Sequence, residues 1–96
     1  MRTIKYTNKF RYDYKREKSG KPRKYGEQLD RDLMNAVSML AADTVLPRAY
    51  ADHPLGGEWK DFRDCHIRPD IVLIYRKPDA ETLELVRLGS HSELGL

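Results

Sequence analysis

The side chains best suited to acid–base chemistry lie in the second half of the chain. All three histidines, His53, His66 and His91, fall between positions 52 and 91, and the first fifty residues of the 96 contain none. Histidine ordinarily titrates near neutral pH, so one imidazole can accept a proton while another donates one. Proton transfer by histidine at neutral pH must therefore occur in this stretch.

An acid and several arginines accompany these histidines. Asp70 follows His66 by four positions, and Arg63, Arg68 and Arg87 lie in the same stretch. Such a set suits cleavage of RNA without a metal. A base removes the 2′-OH proton, an acid protonates the leaving 5′-oxygen, and a guanidinium offsets the charge that grows on the phosphate. The prediction requires the fold to bring the three histidines, Asp70 and an arginine together.

The same residues have simpler uses. Each histidine could be an ordinary polar surface residue. A metal site built from the three histidines and Asp70 would lack the close helical spacing of H-E-x-x-H, and the sequence has no C-x-x-C, so we predict no metal and no cofactor. Cys65 precedes His66 in a predicted strand, where neighbouring side chains point to opposite faces. We therefore expect a core thiol and not a Cys–His nucleophile pair.

The elements that must position this set are three short strands. Residues 58–67 alternate in polarity, residues 71–75 form a β-branched apolar run, and residues 82–88 complete the pattern. Turn-forming residues separate them at 68–70 and 77–80. Because an antiparallel meander returns at each turn, its strand ends can gather the histidines and Asp70 at one edge of the sheet. The residues after Gly89 and Ser90 are predicted to be a short tail.

The first half of the chain supplies a scaffold. Residues 2–6 predict a strand, and a helix follows with Thr7 or Asn8 as its N-cap and residues 19–22 as its stop. A second helix is predicted from near Tyr25 to before Leu46, because one apolar stripe runs through Leu29, Leu33, Ala36, Val37 and Leu40. Trp59 and Tyr75 could stack on RNA bases, but we expect them to pack against this helix.

These elements predict the order β-α-α-β-β-β. Two helices pack on an antiparallel sheet in an α+β fold, and residues 1–96 are long enough for one domain with one core.

Positive charge is concentrated near the N-terminus. The net charge is +3, but residues 1–24 sum to +8 and the remainder to −5. A basic end of this kind is typical of a chain that binds RNA or an acidic protein, although it also fits a solvated helix surface. The candidate RNA-binding residues are Lys9, Arg11, Lys15, Arg16, Lys18, Arg63 and Arg68.

The sequence contains no segment that predicts a membrane or secreted location. No apolar run approaches the length of a membrane span, and no signal peptide is evident. The single cysteine cannot form an internal disulfide. We expect a cytoplasmic protein with no membrane partner.

Two motifs extend the interpretation to a family. D-H-P-L-x-G-x-W-K-x-x-R-D-x-H-I-x-P-D-x-x-L-I-Y begins at Asp52, and R-x-G-S-H-S-E-L begins at Arg87. Together they cover roughly the C-terminal half, which resembles the YafQ branch of the RelE/ParE toxin superfamily. The predicted element order fits that superfamily as well.

The resemblance implies a ribosome-dependent endoribonuclease that cuts mRNA in the ribosomal A site. By position, His53, His66, Asp70 and His91 match the family's active-site residues, and Arg87 matches its phosphate-facing arginine. We assign His91 as general acid, Asp70 or His66 as general base, Arg87 as transition-state stabiliser and His53 as a substrate-positioning residue. The basic N-terminal half would hold ribosomal RNA.

The resemblance also implies partners besides the ribosome and mRNA. A cognate antitoxin, resembling DinJ or RelB, would hold the toxin inactive. Its acidic or amphipathic segment would wrap the basic face, with 1:1 contacts doubled into a heterotetramer through antitoxin dimerisation.

Two positions depart from the family pattern. Ile71 stands where the family often has tryptophan, and the chain ends Leu94-Gly95-Leu96 where the family usually has an aromatic residue. If that aromatic orders the codon bases, cleavage would be slower or directed to other codons.

Two other functions compete with the nuclease. One is a non-catalytic, ParE-like toxin or antitoxin-binding scaffold that acts on a protein target such as gyrase. The other is a metal-dependent nuclease.

Overall fold

A five-stranded sheet forms the centre of the computed structural model, which describes residues 1–19 and 26–96. The strands are β1 (Thr3–Tyr6), β2 (His53–Pro54), β3 (Arg63–Arg68), β4 (Ile71–Arg76) and β5 (Thr82–Gly89). The helices are α1 (Asn8–Ser19), α2 (Gly26–Ala41) and the single-turn α3 (His91–Leu94).

The strand order is β1-β5-β4-β3-β2. β1 runs parallel to β5, and the other neighbouring pairs are antiparallel. The predicted α+β fold is confirmed, with the short strand β2 added at one edge. The predicted helix stop at residues 20–22 and the helix start at Tyr25 lie outside the described residues.

The main core lies between the sheet and the first two helices. The predicted stripe of α2 is confirmed, because each of its five residues is less than 9% exposed: Leu29, Leu33, Ala36, Val37 and Leu40. Opposite them lie alternate residues of the central strands, among them Cys65, Leu73 and Tyr75. Alternation along each strand sends the intervening residues to the other face of the sheet.

β1 pairs with the first half of β5, and helix α1 packs beside the second half. β1 ends at Tyr6, opposite Leu85. The Thr7 hydroxyl then accepts a hydrogen bond from the Phe10 N–H at 3.0 Å and donates one to the Val86 carbonyl at 2.8 Å. Thr7 thus serves as the N-cap, one of the two predicted candidates, and it joins α1 to the edge of β5.

A smaller apolar cluster covers part of the opposite face. It comprises Val72, Ile74, Val86 and Leu94, with Leu55, Trp59 and Phe62 packed against them. The Trp59 and Phe62 rings meet edge to face, with centroids 5.3 Å apart. The prediction that Trp59 packs against α2 is therefore wrong, whereas Tyr75 does lie in the helix-side core.

The strand predicted over residues 58–67 begins only at Arg63. A 3-10 turn spans Gly57–Trp59, and Gly57 has φ +60°, a value that glycine adopts readily. The Leu55 N–H donates to the Phe62 carbonyl at 3.0 Å, which closes a loop between β2 and β3. Trp59 and Phe62 turn inward as anchors of this loop, so their alternation with polar residues imitated a strand.

None of the helices in residues 1–19 and 26–96 has both the length and the apolar character that crossing a membrane requires.

The buried thiol offers a test of this fold. Burial, with smaller effects from Asp52 and Asp64, raises the pKa of Cys65 to about 12, and its side chain is fully buried. Because the thiolate is the reactive form, we expect no alkylation by iodoacetamide at pH 8 in the native protein and complete alkylation in urea. Mass spectrometry of both samples, with Cys65→Ser as the unlabelled control, measures this. Rapid native labelling would contradict the assigned packing of β3.

Candidate active site

Pairing between strands places four residues in one row across the face opposite the helices. His53 of β2 pairs with Asp64 of β3, Asp64 pairs with Ile74 of β4, and Ile74 pairs with Arg87 of β5. Paired residues point to the same face of a sheet. Since neighbouring strands lie about 4.8 Å apart, Asp64 and Arg87 are separated by roughly 10 Å of sheet surface.

A second row brings the other two histidines together. His66 pairs with Val72, which pairs with Gly89 at the end of β5. The chain then turns into α3, whose first residue is His91. The His66 and His91 ring centroids lie 5.1 Å apart, with their planes inclined by 53°. The helix turns the chain back over the sheet and brings His91 to His66.

Helix α3 corrects the prediction of a short tail. Ser90 Oγ accepts from the Glu93 N–H at 3.1 Å, and Glu93 Oε1 accepts from the Ser90 N–H at 2.8 Å. This reciprocal capping box satisfies the first N–H groups of the helix. Even a single turn is therefore held in place.

A β-bulge determines which face Arg87 occupies. Tyr75 pairs with Leu85, but Ile74 pairs with Arg87, so Val86 is an extra residue in β5. In an unbroken ladder Val86 would stand opposite Ile74, and Arg87 would point toward the helices. The bulge thus places the guanidinium on the face that holds the histidines.

Asp64 is the buried carboxylate of this site. Its residue is 1% exposed, and its Oδ1 lies 3.0 Å from His53 Nε2. That oxygen accepts no well-aligned hydrogen bond from a described residue, so the contact is mainly electrostatic. Burial raises the pKa of Asp64, while the charges of His53, His66 and His91 act in the opposite direction. Of the three histidines, His53 contacts this carboxylate directly, and His66 lies two positions further along β3 on the same face.

Both ring nitrogens of His53 face oxygen atoms. Its Nδ1 lies 3.1 Å from the Pro54 carbonyl oxygen, and its Nε2 lies 3.0 Å from Asp64 Oδ1. These two contacts fix the orientation of the ring. The preceding residue is fixed as well, because Asp52 accepts hydrogen bonds from the Tyr75 hydroxyl at 2.6 Å and from Arg63 Nε at 3.3 Å.

The His66 and His91 pair suits a division of proton roles. The two rings lie close enough together to act on one substrate. A neutral ring is a base and a protonated ring is an acid. The arrangement can therefore supply both proton-transfer groups of a cleavage reaction.

Arg87 and Asp70 occupy different settings. Arg87 is partly exposed and donates to the buried Asp13 of α1, with Nε 2.7 Å from Oδ2. Asp70 is exposed in the turn between β3 and β4. Asp70 and His91 both lie just beyond the row of Val72 and Gly89, at the same end of the sheet. Asp64 is the buried carboxylate on the face that holds the histidines.

Four of the predicted RNA-binding residues make ion pairs within the protein. Arg16 pairs with Asp13, Glu17 and Glu93, and Lys18 pairs with Asp30. Arg63 and Arg68 pair with Asp52 and Asp32. The other three, Lys9, Arg11 and Lys15, are exposed on α1 and form no ion pair with any residue in the described ranges.

Sequence reasoning missed Asp64 and the helix around His91, although signals for both were present. Asp64 and His66 are two positions apart in a predicted strand, which puts them on one face. The capping box is legible as Ser90-His91-Ser92-Glu93. No group of three or more histidine, cysteine, aspartate or glutamate side chains in residues 1–19 and 26–96 has the geometry to hold a metal ion.

Solved structures of known toxins share this fold. A mutant toxin from Helicobacter pylori, described as copper-bound, superposes with a TM-score of 0.83 at 34% identity, covering 98% of this chain and 99% of that one. The Escherichia coli DinJ–YafQ complex superposes with a TM-score of 0.77 at 33% identity, covering 98% of both chains.

Two relatives with similar sequences are also toxins of this kind by name. The mRNA interferase toxin YafQ of Escherichia coli B / BL21-DE3 is 36% identical over 99 residues, or 98% of this chain and 96% of that protein. A Haemophilus influenzae relative is 42% identical over 66 residues, which cover 66% of this chain and 65% of that protein. The model of the family described as "Bacterial toxin of type II toxin-antitoxin system, YafQ" matches residues 2–95. This chain therefore belongs to the YafQ family of bacterial type II toxins.

Proposed function

We propose that this protein is a ribosome-dependent endoribonuclease that cleaves mRNA in the ribosomal A site and so inhibits translation. The observation that supports it most is that His53, His66 and His91 gather on the sheet face that also holds the buried Asp64 and Arg87. The Escherichia coli relative is named an mRNA interferase. A surface used only for protein binding has no need of three histidines on one face with a buried carboxylate.

The proposed reaction uses the residues in distinct roles. His66, or alternatively Asp70, removes the 2′-OH proton, and His91 protonates the leaving 5′-oxygen. Arg87 stabilises the charge that develops on the phosphate, and His53 positions the substrate at the opposite end of the row. Proton transfer and electrostatic stabilisation suffice for this chemistry, so we propose that no metal takes part.

We propose that the ribosome presents the mRNA and that α1 contacts ribosomal RNA. Arg11 and Lys15 are one helical turn apart and lie beside Tyr12, whose residue is 74% exposed. Lysine and arginine bind RNA phosphates without regard to sequence. Neighbouring Lys9 adds to this exposed basic surface, which fits a protein that receives its substrate already positioned.

The cognate antitoxin is the third proposed partner. α1, α2 and β1 enclose an apolar groove of about 510 Å³, in which Ile4, Tyr6 and Met34 are more than 40% exposed. Arg11 and Lys15 stand at its rim. An amphipathic segment with acidic residues would cover the apolar lining and neutralise the rim. It would thereby compete with ribosomal RNA for the same two cations.

Cleavage chemistry gives the direct test of function. We expect the purified protein to cut mRNA in programmed ribosomes, to leave 2′,3′-cyclic phosphate ends, and to retain activity in EDTA. His91→Gln should lower the single-turnover rate about 100-fold or more, because glutamine cannot donate the proton, while ribosome co-sedimentation stays unchanged.

Ser92→Ala, at the exposed neighbouring position on α3, is the matched control and should cleave normally. Failure of the wild-type protein to cut ribosome-bound mRNA would reject the proposed function. Equal losses of binding and rate in His91→Gln would reject the role assigned to His91.

Asp64→Asn should separate stability from activity. Because burial raises the pKa of Asp64 above its ordinary 3.8, the ionised carboxylate costs stability as pH rises through the folded pKa. We expect the variant to gain stability over wild type at pH 7, to lose that gain below the ordinary pKa, and to cleave about tenfold more slowly because the imidazoles lose their charge partner.

Thermal denaturation at several pH values, together with the cleavage assay, checks this. The exposed loop residue Asp61 provides the control, since Asp61→Asn should change neither quantity. A variant that cleaves at the wild-type rate would show that Asp64 does not serve the reaction.

Met34→Asp tests the antitoxin groove. A carboxylate at this half-exposed position would repel an acidic partner and prevent apolar contact, so we expect binding of the cognate antitoxin to weaken at least about tenfold. Titration calorimetry measures the affinity. Val45→Asp adds the same charge at a 90% exposed position outside the groove, and it should bind normally. Equal affinities of the two variants would place the antitoxin elsewhere.

A further inference from the structure

Asp13 is a buried carboxylate in the middle of α1, a helix whose buried residues are otherwise represented by Phe10. Its residue is 2% exposed. Four donors surround it: Arg87 Nε at 2.7 Å, Arg87 Nη2 at 3.2 Å, Arg16 Nη1 at 2.8 Å and the Leu88 N–H at 3.0 Å. Replacing a buried ion pair with apolar residues is often neutral for stability. The presence of this charge therefore calls for a use besides packing.

The two bonds to Arg87 fix the plane of its guanidinium. Nε donates to Oδ2 and Nη2 donates to Oδ1, so one edge of the fork is bound by a single carboxylate. Nη1 has no hydrogen-bond partner among residues 1–19 and 26–96. A guanidinium binds phosphate through two parallel N–H groups. The edge formed by Nη1 and Nη2 is thus the one left for a phosphate on the site face.

The same carboxylate is linked to the helix that holds His91. Arg16 donates from Nη2 to the Leu88 carbonyl at 2.9 Å, and its Nε lies 3.2 Å from Glu93 Oε2. Glu93 in turn caps Ser90, the residue before His91. Arg16 Nη2 also lies so close to Gly89 that a Cβ there would approach it to 2.8 Å. Contacts therefore run without a gap from Asp13 to the start of α3.

We propose that Asp13 is a positioning residue for the cleavage reaction, which orients Arg87 toward the substrate phosphate and, through Arg16, keeps α3 and His91 beside His66. The inference rests on the proposed function and adds to it a residue 40 positions before the first histidine. It also gives Arg16 an internal use in place of the predicted contact with RNA.

The ionised state of Asp13 agrees with this role. Burial alone would raise the pKa of Asp13, but the hydrogen bonds from Arg87, Leu88 and Arg16 outweigh that effect and lower it. The carboxylate is therefore ionised at every pH at which the protein would meet ribosomes. Arg87 is then held by a full negative charge throughout.

Asp13→Asn is the test variant, because asparagine keeps the shape and one acceptor oxygen but removes the charge. We expect its single-turnover rate at saturating protein to fall about tenfold, with ribosome affinity within about threefold of wild type. In an Arg87→Ala background the same change should cause a much smaller further loss, since the main group that Asp13 orients is then absent.

The matched control is Asp43→Asn. Asp43 also holds two basic side chains, Arg2 and Lys77, but it lies away from the site. Its loss should leave the cleavage rate unchanged. A purely structural role for Asp13 would instead lower the melting temperature and the active fraction without changing the rate of the folded protein.

If Asp13→Asn does not fold, Arg87→Lys tests whether the contact between Asp13 and Arg87 serves the reaction. Lysine keeps the charge but cannot form the two-bond contact, so a rate close to that of Arg87→Ala is expected. A wild-type rate in Asp13→Asn, or in Arg87→Lys, would overturn the role of Asp13 and leave the proposed function intact. An Asp13→Asn loss as large in the Arg87→Ala background as in wild type would overturn it too. If the wild-type protein does not cleave, both proposals fail.

Discussion

The register of strand pairing is the constraint on which the site depends. His53, Asp64, Ile74 and Arg87 stand in one row across four strands because each pair of neighbours is fixed by backbone hydrogen bonds. A shift of one residue in any ladder would move a member of the row to the helix side of the sheet. The bulge at Val86 is such a shift, and it places Arg87 on the face that holds His53 and Asp64.

Two buried carboxylates, Asp64 and Asp13, hold basic side chains of the site in place. A buried acid from β3 contacts His53 of β2, and a second buried acid from α1 holds the guanidinium of β5. Each carboxylate is shielded from water, so its attraction for a nearby cation is stronger than at the surface. Each acid thereby fixes the position of a basic side chain from another element.

Local sequence patterns predicted the parts that depend on local rules. The stripe from Leu29 to Leu40 gave α2, and the apolar run at 71–75 gave β4. The loop at 58–62 was mistaken for a strand because Trp59 and Phe62 anchor it with strand-like alternation. The parallel pairing of β1 with β5 could not be foreseen, because it joins residues about eighty positions apart. Resemblance to the family supplied residue roles that spacing alone left open.

The two carboxylates show the same limit within the site. Asp70 could be selected from the sequence because it lies in a turn near His66. Asp64 differs from Asp70 in being buried, and its burial depends on the pairing of β2 with β3. A two-residue strand leaves almost no trace in a sequence. Asp13 is harder still to recognise, because an acid inside an amphipathic helix usually faces water.

The distance along the chain between Asp13 and Arg87 has a consequence for biosynthesis. Their ion pair, like the pairing of β1 with β5, joins opposite ends of the sequence, and contacts of such high separation form late in folding. A half-made chain can form α1 and α2 but lacks β5 and α3. The site therefore cannot form until β5 and α3 have been synthesised, because these elements carry Arg87 and His91.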